Sequence, residues 1–181
     1  MASSVTAAST ADRSKPFIPL AGLATDGWSN ENEATATCFC GAVQMAFPLK
    51  APGYVGSFIC NCYDCHKITA SMFASNFITL ESHTRYIRGK DNITIFKQDK
   101  TMFRHGNSMA NHFCKSCGTL LYRVGSAWPG QYIMRIGTVD DFNLHDTVLK
   151  PQQELFIKDR VSWLHGMDGE KGVQQLQRMV D

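Results

Sequence analysis

At 181 residues, 44% of them hydrophobic, and with a formal net charge of +2, the chain has material for one globular domain with a real core and too little for two. The near-balanced charge, with basic residues scattered along the chain, supplies no field for a nucleic-acid backbone, and no apolar run approaches the roughly 20 residues that span a bilayer. The start of the sequence also lacks the apolar stretch of a signal peptide, so the expected setting is cytoplasmic, with neither membrane nor nucleic acid as a partner.

Residues 1–33 read as a flexible N-terminal tail and arm. The opening MASSVTAASTADRSK is small and polar, whereas Phe17, Ile18, Leu20 and Trp28 give the following stretch apolar points with which to lie along a domain. Residues 34–168 form that domain, and their patterning is mostly strand-like. Val43, Met45 and Phe47 alternate with small or polar neighbours, the period of a half-buried strand, which ends at Pro48. Tyr86-Ile87 and Ile93 to Phe96 flank the turn-forming Gly89-Lys90-Asp91-Asn92 and predict a hairpin, and Gly106-Asn107-Ser108 predicts another. Tyr132, Met134 and Ile136 alternate again. Leu155 to Ile157 and Val161 to Leu164 read as late edge strands, which could pair between chains in a homo-oligomer. Helix is scarce: a short turn just after Cys65, and a helix or tail over residues 169–181, with Glu170 to Val180 the best helical candidate. The expected fold class is mainly β.

Seven cysteines in a reducing compartment do not form a disulfide framework, and the odd count would leave one unpaired. Metal binding is the leading use for them. They fall into Cys38-Phe39-Cys40-Gly41, Cys60-Asn61-Cys62-Tyr63-Asp64-Cys65 and Cys114-Lys115-Ser116-Cys117-Gly118. Gaps of one or two residues allow a tight turn to bring two sulfurs within about 4 Å around one zinc. In the first and third groups a glycine follows the pair, permitting a left-handed turn that aims backbone N–H groups at the sulfurs. Joined, these two knuckles make a closed four-thiolate site that stabilises the fold. The middle group offers three thiolates, leaving one position for water or substrate. Such a site is formally anionic, so it activates water poorly and suits a soft sulfur ligand. Alternatively, His66, His105, His112 or a carboxylate supplies a fourth ligand and closes it, or Cys62 and Cys65 act as a CxxC redox pair. A different division of the seven cysteines would exchange the two sites' roles.

In this order and spacing the groups resemble the glutathione-dependent formaldehyde-activating family, which includes the centromere protein V domain. The resemblance runs from about Thr37 to Leu164. It rests on Cys38-x-Cys40-Gly41, Cys60-x-Cys62-x-x-Cys65 with Lys67-Ile68, and Phe113-Cys114-x-x-Cys117-Gly118-x-x-Leu121. Gly137-Thr138-Val139-Asp140-Asp141, Lys150-Pro151 and Arg160-Val161-x-Trp163-Leu164 support it. It implies a β-tent of small antiparallel sheets with few short helices, two zinc ions, a structural one on Cys38, Cys40, Cys114 and Cys117, and a catalytic one on Cys60, Cys62 and Cys65. The implied activity is that of a carbon–sulfur lyase joining formaldehyde to glutathione, or separating them, with glutathione as cosubstrate. His66 stands where the family commonly has arginine, Ala70 where it has glycine, and Glu154 where it often has histidine.

The function expected is therefore a zinc-dependent lyase acting on a small molecule, a thiol adduct like S-(hydroxymethyl)glutathione or a related carbonyl compound. One alternative is a divergent zinc enzyme converting a non-glutathione biosynthetic intermediate. Another is a non-catalytic zinc-stabilised binding module, for which the chain lacks a basic tail. The candidate proton carriers are His66, His105, His112 and Glu154. Arg85, Arg88, Lys97 and Arg104 are candidates to attract glutathione carboxylates, and Trp128, near Pro129-Gly130, either covers the site or anchors a loop.

Overall fold

The computed structural model describes residues 12, 14–101 and 106–179; His105, Phe103 and Arg104 lie outside the described residues. Eleven strands and one α-helix occur among the described residues, making the protein mainly β. The strands are β1 (Glu33–Thr37), β2 (Gln44–Pro48), β3 (Tyr54–Cys60), β4 (Ala74–Leu80), β5 (Arg85–Arg88) and β6 (Ile93–Gln98). After them come β7 (Met109–Cys114), β8 (Leu120–Gly125), β9 (Gln131–Arg135), β10 (Gln153–Leu155) and β11 (Gln174–Leu176). The helix, α1 (Tyr63–Thr69), follows β3. No helix among the described residues is long and apolar enough to cross a membrane.

Three strands pair in the order β1-β2-β5, and eight in the order β11-β10-β3-β4-β9-β8-β7-β6. The larger sheet divides the interior in two, because directly paired residues share a face and neighbours along a strand do not. Phe77, Met134 and Tyr122 are cross-strand partners on one face, and they join the main core with Met45 and Phe47 of the small sheet. Phe47 and Phe77 rings meet at 4.7 Å, and the Tyr86 and Tyr122 hydroxyls at 2.6 Å. The opposite face carries Phe58, Cys60, Asn76, Ile133, Arg135 and Arg123, and a second apolar cluster forms there around Cys60, Cys65 and Leu155.

Several expectations need correction. The β2 strand is buried on both faces rather than half-buried, because the N-terminal arm covers its outer side: Gln44 Nε2 donates to Asp26 and to Thr37. The arm is held by the Asp140-Asp141 pair. Phe17 N–H and Ser29 Oγ–H donate to Asp141, and Thr37 Oγ1–H to Asp140. Around Gly89 the chain does reverse, with φ +74°, yet β5 and β6 do not form a hairpin. Instead β5 pairs with β2 and β6 with β7, because the Tyr86 side of β5 is buried against the core. The β6–β7 hairpin around residues 106–108 is present.

At the end of the chain, residues 161–164 form no strand, and β10 is interior, parallel to both β3 and β11. The helix expected over Glu170 to Val180 is absent. Gly169 and Gly172, at φ +80° and +81°, turn the chain, and the strand β11 follows.

Candidate metal and substrate site

The turn after β1 carries Cys38 and Cys40, the end of β7 carries Cys114, and the following turn carries Cys117. Their four sulfurs lie within 4.8 Å of one another, with Cys40 Sγ 3.6 Å from Cys38 Sγ and 3.7 Å from Cys114 Sγ. Gly41 and Gly118 adopt φ +78° and +74°, the left-handed turn that lets each pair fold back on itself. Val43 N–H and Asn92 Nδ2–H donate to the Cys38 and Cys114 sulfurs and so fix their orientation. Burial pushes the Cys38 thiol up to about 12. Burial also acts on Cys117, but hydrogen bonds from Thr119 and Cys40 outweigh it and bring that thiol down to about 6.

The other three cysteines sit where β3 passes into α1. Cys60 ends the strand, Cys62 is the N-cap residue of the helix, and Cys65 lies in its first turn. These three sulfurs also lie within 4.8 Å of one another, and no histidine or carboxylate among the described residues completes the group to four. Both clusters could hold a metal ion, but their surroundings differ. All three cysteines of the triplet line a cavity of about 340 Å3, whereas none of the four-cysteine cluster does. The cavity is walled mainly by apolar side chains, including Phe58, Trp128, Ile133 and Phe156. Trp128 is thus part of the cavity wall.

Two buried guanidinium groups stand beside the triplet. Arg123 Nη1 lies 3.6 Å from Cys65 Sγ while its Nε–H donates to Asn111, and Arg135 donates through Nη1 to Asn76. Nε and Nη2 of Arg135 are buried without a hydrogen-bond partner. Hydrogen bonds from Cys60 and Cys62, aided by the charges of Arg123 and Arg135, hold the Cys65 thiol well below its ordinary value. Hydrogen bonding to Cys62 and Cys65, with burial, pushes Cys60 up. Of the three sulfurs, Cys65 is thus the one whose negative charge the two arginines favour.

Three of the residues expected to carry a proton, His66, His112 and Glu154, do not line the cavity, and His105 lies outside the described residues. His66 is on α1 next to Cys65, but its ring meets Tyr63 edge-on at 6.3 Å and does not line the cavity. His112 lies on the core side of the sheet, stacked at 4.2 Å on Tyr122, and burial lowers its pKa. Glu154 is completely buried and outside the cavity wall. It accepts hydrogen bonds from Asn61, Arg160, Gln175 and the backbone N–H of Met167. It joins the β3–α1 junction to the C-terminal segment. Glu154→Gln, which turns one acceptor into a donor facing donors, is expected to cost on the order of 3 kcal/mol, read as a lower melting temperature. Arg85 and Arg88, expected near substrate carboxylates, pair instead with Glu33 and Asp26.

Ala70 ends α1 at φ +51°, a left-handed position that glycine occupies at lower cost. The residues beside the triplet that the sequence did not point to are Arg123, Arg135 and Asp64. The signal for the two arginines was a lone charge inside an apolar strand run, Leu121-Tyr122-Arg123-Val124 and Ile133-Met134-Arg135-Ile136. Asp64, between two ligands, lines the cavity and accepts a 2.5 Å hydrogen bond from Thr101.

A family model described as glutathione-dependent formaldehyde-activating enzyme matches residues 33–159. The chain is also similar to the crystal structure of a Rhodobacter sphaeroides protein, at 23% identity and a TM-score of 0.48, with 62% of this chain and 93% of that chain covered. Comparison with curated proteins gives no match.

Proposed function

The chain belongs to the glutathione-dependent formaldehyde-activating family, and on that premise we propose that it is a zinc enzyme making or breaking the carbon–sulfur bond of a hemithioacetal. The substrate class is a thiol adduct of the S-(hydroxymethyl)glutathione kind or a related small carbonyl compound. The observation carrying this reading is that the three-cysteine group opens onto the cavity and the four-cysteine group does not.

In this reading Cys38, Cys40, Cys114 and Cys117 hold a structural zinc, and Cys60, Cys62 and Cys65 a second one. All-sulfur donor sets suit zinc, and three ligands leave one position for substrate. When bound, that second zinc would supply a Lewis-acidic position that lowers the proton affinity of a substrate sulfur. Arg123 and Arg135 offset the excess negative charge of three thiolates, so a fourth sulfur can approach without like-charge repulsion accumulating.

In the cleavage direction the adduct's hydroxyl loses its proton, its oxygen forms the carbonyl, and the C–S electron pair departs on sulfur. The sulfur then leaves as thiolate or takes up a proton. No oxidant or reductant is required. In this reading Asp64 accepts and returns the hydroxyl proton, because it lines the cavity and precedes Cys65 in the first turn of α1. Asp159 also lines it but pairs with Lys158. Zinc-loaded protein is expected to release formaldehyde from hydroxymethyl thioadducts. Asp64→Asn is expected to lower that rate by roughly 100-fold with unchanged metal content. An unchanged rate would remove Asp64 from the role.

A further inference from the structure

The cavity beside the triplet is far larger than a one-carbon aldehyde needs and reaches the size of pockets that enclose whole drug-sized ligands. Its walls come from separate parts of the chain: Phe58 from β3, Met109 from β7, Ile133 from β9, and Trp128, Phe156 and Met179 from outside the strands. Convergence of these six side chains on one space leaves a surface that rewards apolar contact.

The charged groups inside it are already engaged. Arg123 is held by Asn111 and the Cys65 sulfur, and Asp64 accepts from Thr101, while Lys158 stands half-exposed at the rim, 4.0 Å from Asp159. Glutathione brings two carboxylates and an ammonium group, each costly to strip of water unless a partner replaces it. Among the described residues the one cation buried in the cavity wall, Arg123, is committed to Asn111 and the Cys65 sulfur, so the interior offers those carboxylates no free partner, and Lys158 lies out at the solvent-exposed rim.

We infer that the thiol component accepted by this chain is neutral and apolar, with an aromatic or branched hydrocarbon body lying against Phe58, Ile133, Trp128 and Phe156 and its single sulfur at the cysteine triplet. The inference rests on the reading of the triplet as an open, thiol-binding metal site. It changes the substrate class from a charged tripeptide to a compact hydrophobic thiol or its carbonyl adduct.

The test uses the full chain loaded with cobalt(II), whose sulfur-to-metal absorption reports a thiol entering the open position. Three probes are compared: benzyl mercaptan, mercaptosuccinate as a small charged thiol, and glutathione. Benzyl mercaptan is expected to bind at least about 10-fold tighter than the other two. It should also quench tryptophan emission, and this quenching should be lost in Trp128→Phe. Equal or tighter binding of glutathione or mercaptosuccinate, with the absorption change present, overturns the apolar class and leaves the thiol-binding site standing. No absorption change with any of the three overturns the inference together with the reading beneath it.

Discussion

Replacing Cys62 with serine is expected to abolish turnover of the thiol adduct while the chain stays folded. Cys62 lies at the cavity wall, at the start of α1, and makes no side-chain capping hydrogen bond there. The structure around it is held by other means. Cys60 pairs in register with Ala74 and Leu155, and Asn61 is fixed by Glu154 and by the Leu155 carbonyl. Substitution of groups that only support a metal ligand typically costs 10–100-fold, so removal of a ligand should cost on the order of 100-fold or more. The melting temperature should move by no more than about 4 °C, the shift expected for about 1 kcal/mol in a domain of this size. Steady-state assay, thermal melting and metal content measured on one preparation check all three. Loss of the folded state would show that the triplet is structural.

Cys114→Ser is expected to have the opposite profile, with loss of the cooperative melt and of soluble protein. Cys114 is fully buried and ends β7, where it pairs with Ile93 of β6 and faces the Cys40 sulfur from the small sheet. Its cluster therefore ties the turn between β1 and β2 to the turn between β7 and β8. A structural zinc contributes about 10–16 kcal/mol of apparent binding energy, comparable to the whole stability of about 5–15 kcal/mol for a typical domain. A chain that loses one of four ligands has no reserve of that size. A Cys114→Ser protein melting like the parent would place fold stability elsewhere.

How much of this was legible differs from residue to residue. The division of the cysteines could be read because it is local chemistry: a glycine after Cys40 and Cys117 permits a left-handed turn, and the structure shows that turn at Gly41 and Gly118. The strands β2 and β9 were legible for the same reason, although β2 proved to be buried on both faces. Pairing was not, since Gly89 marks a reversal without stating which strand lies alongside, and β5 and β6 part into different sheets. The end of the chain misled for a related reason, because β11, Gln174-Gln175-Leu176, pairs with β10 without an apolar alternation of its own.

Adjacency to a cysteine does not decide which side chain faces the cavity. His66 is next to Cys65 in sequence, yet the helix directs it away from the cavity, while Asp64, one residue before Cys65, lines it. Glu154 is remote from any cysteine in sequence and still reaches Asn61, between two ligands, as a structural acceptor. The charge balance of the site was invisible for the same reason. Arg123 and Arg135 come from strands whose register alone brings them to the face that carries Cys60.

On the function proposed, one chain holds a closed metal site that maintains the fold and an open one that performs chemistry. Zinc analysis during graded chelation, followed together with circular dichroism, tests it most directly. Two zinc ions per chain are expected, the first leaving with loss of activity and an unchanged spectrum, the second only as the fold is lost. A single zinc per chain, or two that leave together on unfolding, would contradict it.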